Sequence, residues 1–480
     1  MSRHMNESRR AFFRASAGLA AAAAAPWGPK LSLPLAMNLA GLGALASHQA
    51  RAADTAGGYK ALVCLYLAGG NDSHNWVIPT DAGNRASYAK ARGELAWPAA
   101  NVLPLSATGQ GSGRSFGMPR ELDPLRAWYE KGQCAVVANV GTLVRPVTKA
   151  EFQAGVGLPS KLFSHNDQAA TWQSLSPEGA PTGWGGRMGD VLMAANEQPV
   201  FTAISASGNA VFLSGSQVTP YQVGLDGPVQ IRGAQPGWRA GSSGVPNTLR
   251  SLLAGSGSNL FEAEYLRVVQ RSLGTAGTLQ AALAAGPALD LPVAPVTLPN
   301  NGKLALSTDA LARQLRIVAK LVAAGPALGL QRQVFMVSIG GFDSHANQLR
   351  EQSLLMSRVA HSVNWFMATL QARGLLSNVM LFTASDFGRT LASNGDGSDH
   401  GWGSHHLVAG GAVLGRQIVG RFPVTALGTA DDLGSGRLLP GTSVTELAAT
   451  LGGWMGLNNS ELTQVLPNLG NFNSTRLGFV

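Results

Sequence analysis

Residues 60–72 read KALVCLYLAGGND, a β-rich apolar run that ends in two glycines and two polar residues. This pattern is typical of a buried strand that delivers polar side chains at its carboxyl end. Similar apolar runs follow at residues 133–140, 333–339, 378–384 and 406–409. Helical patterns such as residues 347–373 lie between them, which predicts parallel strands buried on both faces. The sequence therefore predicts an α/β fold with a largely parallel sheet flanked by helices.

Composition limits the class of protein. The chain has 480 residues, of which 45% are hydrophobic and 13% are charged, and this indicates a globular protein with a large core. No long charged linker divides it, so we expect a single large domain. Six basic residues and Glu7 give residues 1–52 a net charge of +5, which leaves +4 of the total of +9 for the remainder. That small excess excludes nucleic acid as an expected partner.

The amino terminus carries an export signal. Residues 8–13 read SRRAFF, a twin-arginine pattern, and an alanine-rich run and a second apolar stretch follow it. Prolines 26, 29 and 34 interrupt any continuous apolar span, which argues against a membrane anchor. We expect residues 1–52 to be a signal peptide that is read by the twin-arginine translocon. The mature domain, residues 53–480, should then be periplasmic or secreted, with no stable membrane span.

The chain has two cysteines, Cys64 and Cys134, each inside an apolar run. An oxidising compartment would permit a disulfide, but two buried free thiols are the expected state. No CxxC pair and no Cys/His zinc spacing occurs in the sequence. Any bound metal must therefore be held by carboxylates and imidazoles.

Polar residues at the strand ends predict where the functional site lies. Three of the five apolar runs are followed by an aspartate, namely Asp72, Asp343 and Asp386. In open α/β sheets, ligands bind beyond the carboxyl ends of the strands. Six of the seven histidines beyond residue 52 also fall in short clusters that contain an aspartate: His74, His165, His345, His400, His405 and His406. A divalent-metal site requires carboxylate and imidazole groups close together, as in these clusters. Any one cluster alone could instead be a turn or a helix cap.

The motifs resemble a known family. In order along the chain they are GGNDSHNWVIP (69–79), FSHNDQ (163–168), VSIGGFDSH (337–345), TASDFGRT (383–390) and SDHGWGSHH (398–406). They resemble the uncharacterised, commonly twin-arginine-exported bacterial family called domain of unknown function fifteen hundred and one, which is placed in the alkaline-phosphatase and sulfatase superfamily. The resemblance implies an alkaline-phosphatase-like fold across nearly the whole mature domain.

The resemblance also implies a set of metal ligands. Asp72 matches the aspartate that binds or bridges a second metal, and Asp343 with His345 resembles the pair that holds the first. Asp386 follows the strand that ends in an Asp-His pair in phosphatases, and His400 matches the last metal histidine. Phe387 stands where that pair has its histidine, so Asp399, His405 or His406 would have to replace a ligand. The metal is expected to be zinc, magnesium, calcium or manganese.

Two functions remain open at this stage. The first is a metal-dependent hydrolase or transferase that acts on a small phosphate or sulfate ester, with Ser164 and His165 as catalytic residues. Ser164 directly precedes a helical segment, where backbone amides favour an anionic nucleophile, although it could equally be only a helix cap. The second is a non-catalytic exported protein that keeps the fold and binds a ligand or partner, which the loss of a donor at Phe387 favours.

Overall fold

The computed structural model describes residues 58–229, 253, 255, 259–473 and 476–480. A sheet of ten strands forms the centre of this described part. The described strands are β1 (Lys60–Leu67), β2 (Ile78–Pro79), β3 (Val102–Leu105), β4 (Phe116–Pro119), β5 (Cys134–Gly141), β6 (Ala203–Ser205), β7 (Tyr221–Gly224), β8 (Gly227–Pro228), β9 (Val296–Thr297), β10 (Lys303–Leu304), β11 (Arg332–Ile339), β12 (Val379–Ser385), β13 (Ser404–Gly410), β14 (Ile418–Val419) and β15 (Thr442–Ser443). The described α-helices are α1 (Ala82–Arg92), α2 (Asp123–Glu130), α3 (Lys149–Gln153), α4 (His165–Ser174), α5 (Trp184–Leu192), α6 (Leu260–Ala285), α7 (Ala310–Ala324), α8 (Gln348–Ala372), α9 (Val444–Met455) and α10 (Asn459–Val465).

The strand order in the central sheet is β14-β5-β13-β12-β1-β11-β6-β7-β8, and β15 also pairs with β5. Strand β1 lies between β12 and β11 and is parallel to both. Each of the five predicted apolar runs forms a strand, and the predicted helix 347–373 is α8. The predicted α/β class with a sheet flanked by helices is therefore confirmed.

One strand departs from the predicted parallel arrangement. Strand β13 is antiparallel to both of its neighbours, β12 and β5, so the sheet is mixed. The expectation that all five runs are parallel was wrong because the connection between β12 and β13, residues 386–403, contains no helix, and antiparallel neighbours need no helical crossover. The start of β13 consequently lies at the sheet edge where β1, β11 and β12 end.

Two apolar layers cover the two faces of the sheet. Alternate residues of β1 point to opposite faces, as strand geometry requires. Ala61, Val63 and Leu65 pack in one core with α7 and α8. Leu62, Cys64 and Tyr66 pack in the other with α5, α9 and α10. Burial on both faces explains why β1 is almost continuously apolar.

The structure bears on two further expectations from the sequence. Cys64 and Cys134 are both buried and unpaired, which confirms the expected free thiols. Burial raises the pKa of the Cys134 thiol to about 12, so it is protonated at neutral pH. Within the described part of the chain, no helix is long and apolar enough to cross a membrane. The predicted signal peptide, residues 1–52, lies outside the described residues.

Candidate metal centre

The candidate centre lies at the sheet edge where three parallel strands end. Asp72 follows β1, Asp343 follows β11 and Asp386 follows β12, while His400 precedes the antiparallel β13. His165 is the first residue of α4. The opposite direction of β13 explains how a residue before a strand meets residues that come after other strands.

Close packing at the end of β1 requires glycine. Gly70 has a φ of +84°, a region that favours glycine, and a Cβ there would lie 2.4 Å from the ring of Phe387. Gly69 similarly lies against the backbone of Asp343, because its Cβ would approach the Asp343 amide nitrogen to 2.5 Å. The two glycines that follow β1 therefore let the ends of three strands approach one another.

Three imidazole rings turn their Nε2 atoms toward the carboxylate of Asp343. The Nε2 of His165 lies 3.3 Å from Oδ2, and those of His345 and His400 lie 3.0 Å and 3.2 Å from Oδ1. The Nε2 atoms of His345 and His400 are 3.1 Å apart. Ligand atoms around a tetrahedral zinc ion at 2.0–2.1 Å would be spaced at about 3.3 to 3.4 Å. The observed spacing is close to that of ligands around a single small cation.

The other ring nitrogen has a hydrogen-bond partner in two of the three histidines, and that partner holds the Nε2 atom in place. The Nδ1 of His165 lies 2.7 Å from the carboxylate of Asp386, and the Nδ1 of His400 lies 2.8 Å from the carbonyl oxygen of Phe163. The Nδ1 of His345 faces Asp399 at 3.6 Å, which is beyond hydrogen-bond distance. Metal-binding histidines characteristically donate their second ring N–H to a carboxylate or carbonyl in this way.

The Nε2 of His165 has an unmet polar requirement. It is buried, and among the described residues it has no hydrogen-bond partner although Asp343 is near. A buried polar nitrogen without a partner is unfavourable, and a cation at this point would satisfy it. Together with His400 and Asp343, His165 forms a group of potential metal ligands whose atoms lie within 4.8 Å of one another. The donor set therefore fits a divalent cation.

Electrostatics keep Asp343 and His400 in the ionisation states that bind metals. Partial burial alone would raise the pKa of Asp343, but the hydrogen bond and charge of Arg389 bring that pKa below its ordinary value. Burial, the largest cause, lowers the pKa of His400. At neutral pH Asp343 is therefore a carboxylate, and the ring of His400 is neutral with a free lone pair.

Phe387 packs against two of the rings. Its ring centroid is 4.8 Å from that of His165 and 4.6 Å from that of His400. The side chain is buried, so it forms an apolar wall beside the two imidazoles. Phe387 thus contributes to the position of the rings, although it cannot bind a metal.

The remaining predicted site residues lie at varying distances from this centre. Asp386 is placed behind His165, where its other oxygen accepts hydrogen bonds from the Tyr66 hydroxyl at 2.7 Å and from the Gly69 amide at 3.3 Å. Asp399 lies at the rim, beside His345. The structure does not bring Asp72 to the imidazoles, because its carboxylate forms a fully buried ion pair with Arg92.

His405 also lies away from the imidazoles of the centre. It is the second residue of β13 and is buried, and its Nδ1 accepts the amide N–H of Asn139 at 3.0 Å. Its ring stacks on Phe422. His406 faces the other side of the strand, beside Thr383 and Trp172. Both histidines are thus held within the packed interior.

Ser164 occupies the N-cap position of α4, but its hydroxyl does not accept a backbone amide. Instead it donates to the carboxylate of Asp167 at 2.7 Å. Asp167 is also 3.4 Å from the ammonium group of the exposed Lys161. The hydroxyl of Ser164, the residue next to the candidate ligand His165, is therefore paired with a carboxylate acceptor.

Arg389 and Arg92 were not among the predicted site residues. The guanidinium of Arg389 is buried and donates to Asp343 at 2.6 Å. Neither arginine could be recognised from the sequence, because no local pattern marks an arginine whose acidic partner is buried and distant along the chain. The only signal for Arg389 is its place three residues after Asp386, at the end of a strand.

Comparison with known proteins gives a partial match. A family described as "Protein of unknown function (DUF1501)" matches residues 301–468, which include Asp343, His345 and His400. No curated protein sequence matches the chain.

Several solved structures resemble the fold at low identity. The structure of Ps i-CgsB in complex with k-i-k-neocarrahexaose has a TM-score of 0.34 and 11% identity, and the match covers 86% of this chain and 77% of that one. PsFucS1 sulfatase from Pseudoalteromonas sp. has a TM-score of 0.30 and 11% identity, with 88% and 71% covered. A mutant of alkaline phosphatase PafA has a TM-score of 0.24 and 10% identity, with 69% and 64% covered. All three TM-scores are below 0.5.

Proposed function

We propose that this chain is an exported, metal-dependent hydrolase or transferase that acts on a phosphate or sulfate ester at the Asp343 centre. The observation that supports it best is the convergence of three Nε2 atoms on one carboxylate, with two of the rings held through Nδ1 by Asp386 and by the Phe163 carbonyl. Export is supported by the twin-arginine pattern of residues 8–13.

The exposure of the centre favours a catalytic site over a structural one. The side chains of His165, Asp343, His345 and His400 are between 23% and 46% exposed. Structural zinc sites are closed, whereas catalytic sites keep one position open to water or substrate. A site built from imidazole and carboxylate suits zinc better than magnesium, calcium or manganese, which favour oxygen ligands.

The residues around the centre support an anionic substrate. A divalent cation held there would supply Lewis acidity, which stabilises the charge that develops on a phosphate or sulfate ester. The amino terminus of α4, which begins at His165, carries unsatisfied amides and a partial positive charge. These groups would attract and orient an ester anion.

Three residues near the centre would have distinct roles in catalysis. Asp386 accepts a hydrogen bond from the Nδ1–H of His165 and so directs the Nε2 of that ring to the centre. Ser164 would be the nucleophile, and Asp167 would accept its proton along the existing hydrogen bond. Turnover without Ser164 would assign the nucleophile to water.

A second candidate is a non-catalytic exported protein that binds a metal and a ligand. The observation in its favour is the same hydrogen bond, because a Ser164 hydroxyl committed to Asp167 within one helical turn can be purely structural. This candidate predicts a bound metal without turnover.

A substrate screen with matched variants tests the proposal. Full-length protein loaded with zinc or manganese should cleave at least one member of a panel of aryl phosphates, phosphodiesters and aryl sulfates. The activity should disappear in Asp343→Asn and His400→Ala. His361→Gln should retain it, since His361 is a partly buried histidine on α8 that contacts none of the centre's ligands. Metal-loaded protein that cleaves no ester would favour the non-catalytic candidate.

A further inference from the structure

Asp72 is fully buried, and its charge already has a partner. One of its oxygens, Oδ2, accepts hydrogen bonds from the guanidinium of Arg92 and from the side-chain amide of Gln348. Both donors present N–H groups, which cannot bind a cation. Arg92 is the last residue of α1, and its side chain is as fully buried as that of Asp72.

We propose that the centre binds one divalent cation and not two, because Arg92 takes the place beside Asp72 that a second cation would need. This inference rests on the function proposed above, since it counts the cations at the same site. It also differs from the sequence resemblance, which implies that Asp72 binds or bridges a second metal.

A second guanidinium, that of Arg389, contacts the centre at Asp343. Gln348 accepts a hydrogen bond from the Ser398 hydroxyl at 2.6 Å, and the carbonyl of Ser398 accepts one from Arg389. Arg389 in turn donates to Asp343. The path from Asp72 to Asp343 therefore passes through Gln348, Ser398 and Arg389 by direct hydrogen bonds. The two carboxylates are thus linked by neutral or cationic protein groups.

The charge of the cluster fits one divalent cation. Asp72, Asp343, Asp386 and Asp399 supply four negative charges, and Arg92 and Arg389 supply two positive charges. One divalent cation neutralises the remaining two negative charges. A second divalent cation would leave an excess of two positive charges among these groups.

The donors available for a second cation are also too few. Asp72 Oδ1 has no hydrogen-bond partner among the described residues, so it could accept a cation. The side-chain oxygen of the neighbouring Asn71 also has no partner among the described residues. With Arg92 in place, these two oxygens fall short of the three or four protein ligands that hold a metal of this class, and loss of Arg92 would release Asp72 Oδ2 as a third donor. The position after Asp386 offers only the apolar ring of Phe387.

Counting bound zinc under non-denaturing conditions tests this inference. Native mass spectrometry of the full-length chain, stripped with a chelator and titrated with zinc, should show one tightly bound ion. A His165→Ala/His400→Ala variant gives the background from weak surface binding. Asp72→Asn should keep one ion. Arg92→Met should gain a second, while Arg92→Lys and the double variant Arg92→Met/Asp72→Asn should each bind one.

The outcomes separate the two proposals. No zinc in the wild type would overturn the proposed function and this inference with it. Two ions in the wild type, of which Asp72→Asn loses one, would overturn this inference alone. If Arg92→Met folds, as shown by circular dichroism, and still binds one ion, the role of Arg92 is refuted. If it does not fold, the wild-type and Asp72→Asn counts decide the number of cations.

Discussion

Asp386→Asn tests whether a carboxylate behind His165 holds the metal centre together. In the wild type, one oxygen of Asp386 faces the His165 Nδ1 at 2.7 Å, and the other accepts from the Tyr66 hydroxyl and the Gly69 amide. An asparagine has one oxygen and one NH₂ group to serve the same neighbours. If its oxygen stays with Tyr66 and Gly69, its NH₂ faces His165 and drives the ring proton to Nε2, where it blocks metal binding.

The alternative amide orientation keeps the hydrogen bond to His165 but replaces a charged acceptor with a neutral one. The NH₂ group then opposes the Tyr66 hydroxyl and the Gly69 amide, and the ring becomes a weaker ligand. Loss of such an outer carboxylate typically weakens metal binding by about 10- to 100-fold. That range corresponds to about 1.4 to 2.8 kcal/mol.

Competition with a chromophoric zinc chelator at neutral pH measures the effect. Tyr66→Phe is the matched control, because it removes a donor from the same carboxylate but leaves the contact with His165 intact. We expect a loss of at least about tenfold in Asp386→Asn and a smaller loss in Tyr66→Phe. A folded Asp386→Asn protein with unchanged zinc affinity would refute the placement of Asp386 behind a metal ligand.

Three further predictions concern export, the nucleophile and acid stability. Arg9→Lys with Arg10→Lys should leave the full-length precursor in the cytoplasm, whereas processed protein in the periplasm would contradict the signal assignment. Ser164→Ala should abolish ester turnover with little change in melting temperature or zinc content, because its hydroxyl caps no backbone amide; retained turnover would point to water as the nucleophile. Burial, together with the charge of Arg92 in the case of His74, lowers the pKa of His74 and His406 to about 3, below their value of about 6.5 when unfolded. Below pH ~6.5 the unfolded chain therefore binds more protons than the folded one, and the free energy of unfolding should fall as the pH drops, by up to about 1.4 kcal/mol per pH unit for each ring. This pH dependence should have a shallower slope in His406→Gln. Equal slopes for the two proteins in thermal or denaturant melts would contradict the prediction.

The fold follows from local patterns that the sequence displays directly. The run that forms β1 is apolar at nearly every position because α7 and α8 cover one face of it and α9 covers the other. A strand buried on both faces produces that pattern wherever its partners come from. The direction of β13 was not predictable in the same way, because residues 406–409 are equally apolar in a parallel or an antiparallel strand.

The candidate site was likewise predictable from the sequence only in part. Asp343, His345 and His400 were recognisable because aspartate and histidine cluster beside strand ends, and the structure does bring them together. The ion pair between Asp72 and Arg92 was not, since 20 residues separate the two and nothing in the sequence of α1 marks Arg92 as buried. The position of His165 between Asp343 and Asp386 also depends on how α4 packs against the sheet, which is a tertiary property.

Crystallography at the zinc absorption edge tests the central claim most directly, because anomalous scattering locates a metal without assuming its ligands. Crystals of the full-length chain grown with zinc and without chelator should show one strong peak about 2.0–2.1 Å from the Nε2 atoms of His165 and His400 and from the carboxylate of Asp343. No peak should lie beside Asp72. A folded protein with no peak at Asp343, or with its metal bound by other residues, would contradict the account.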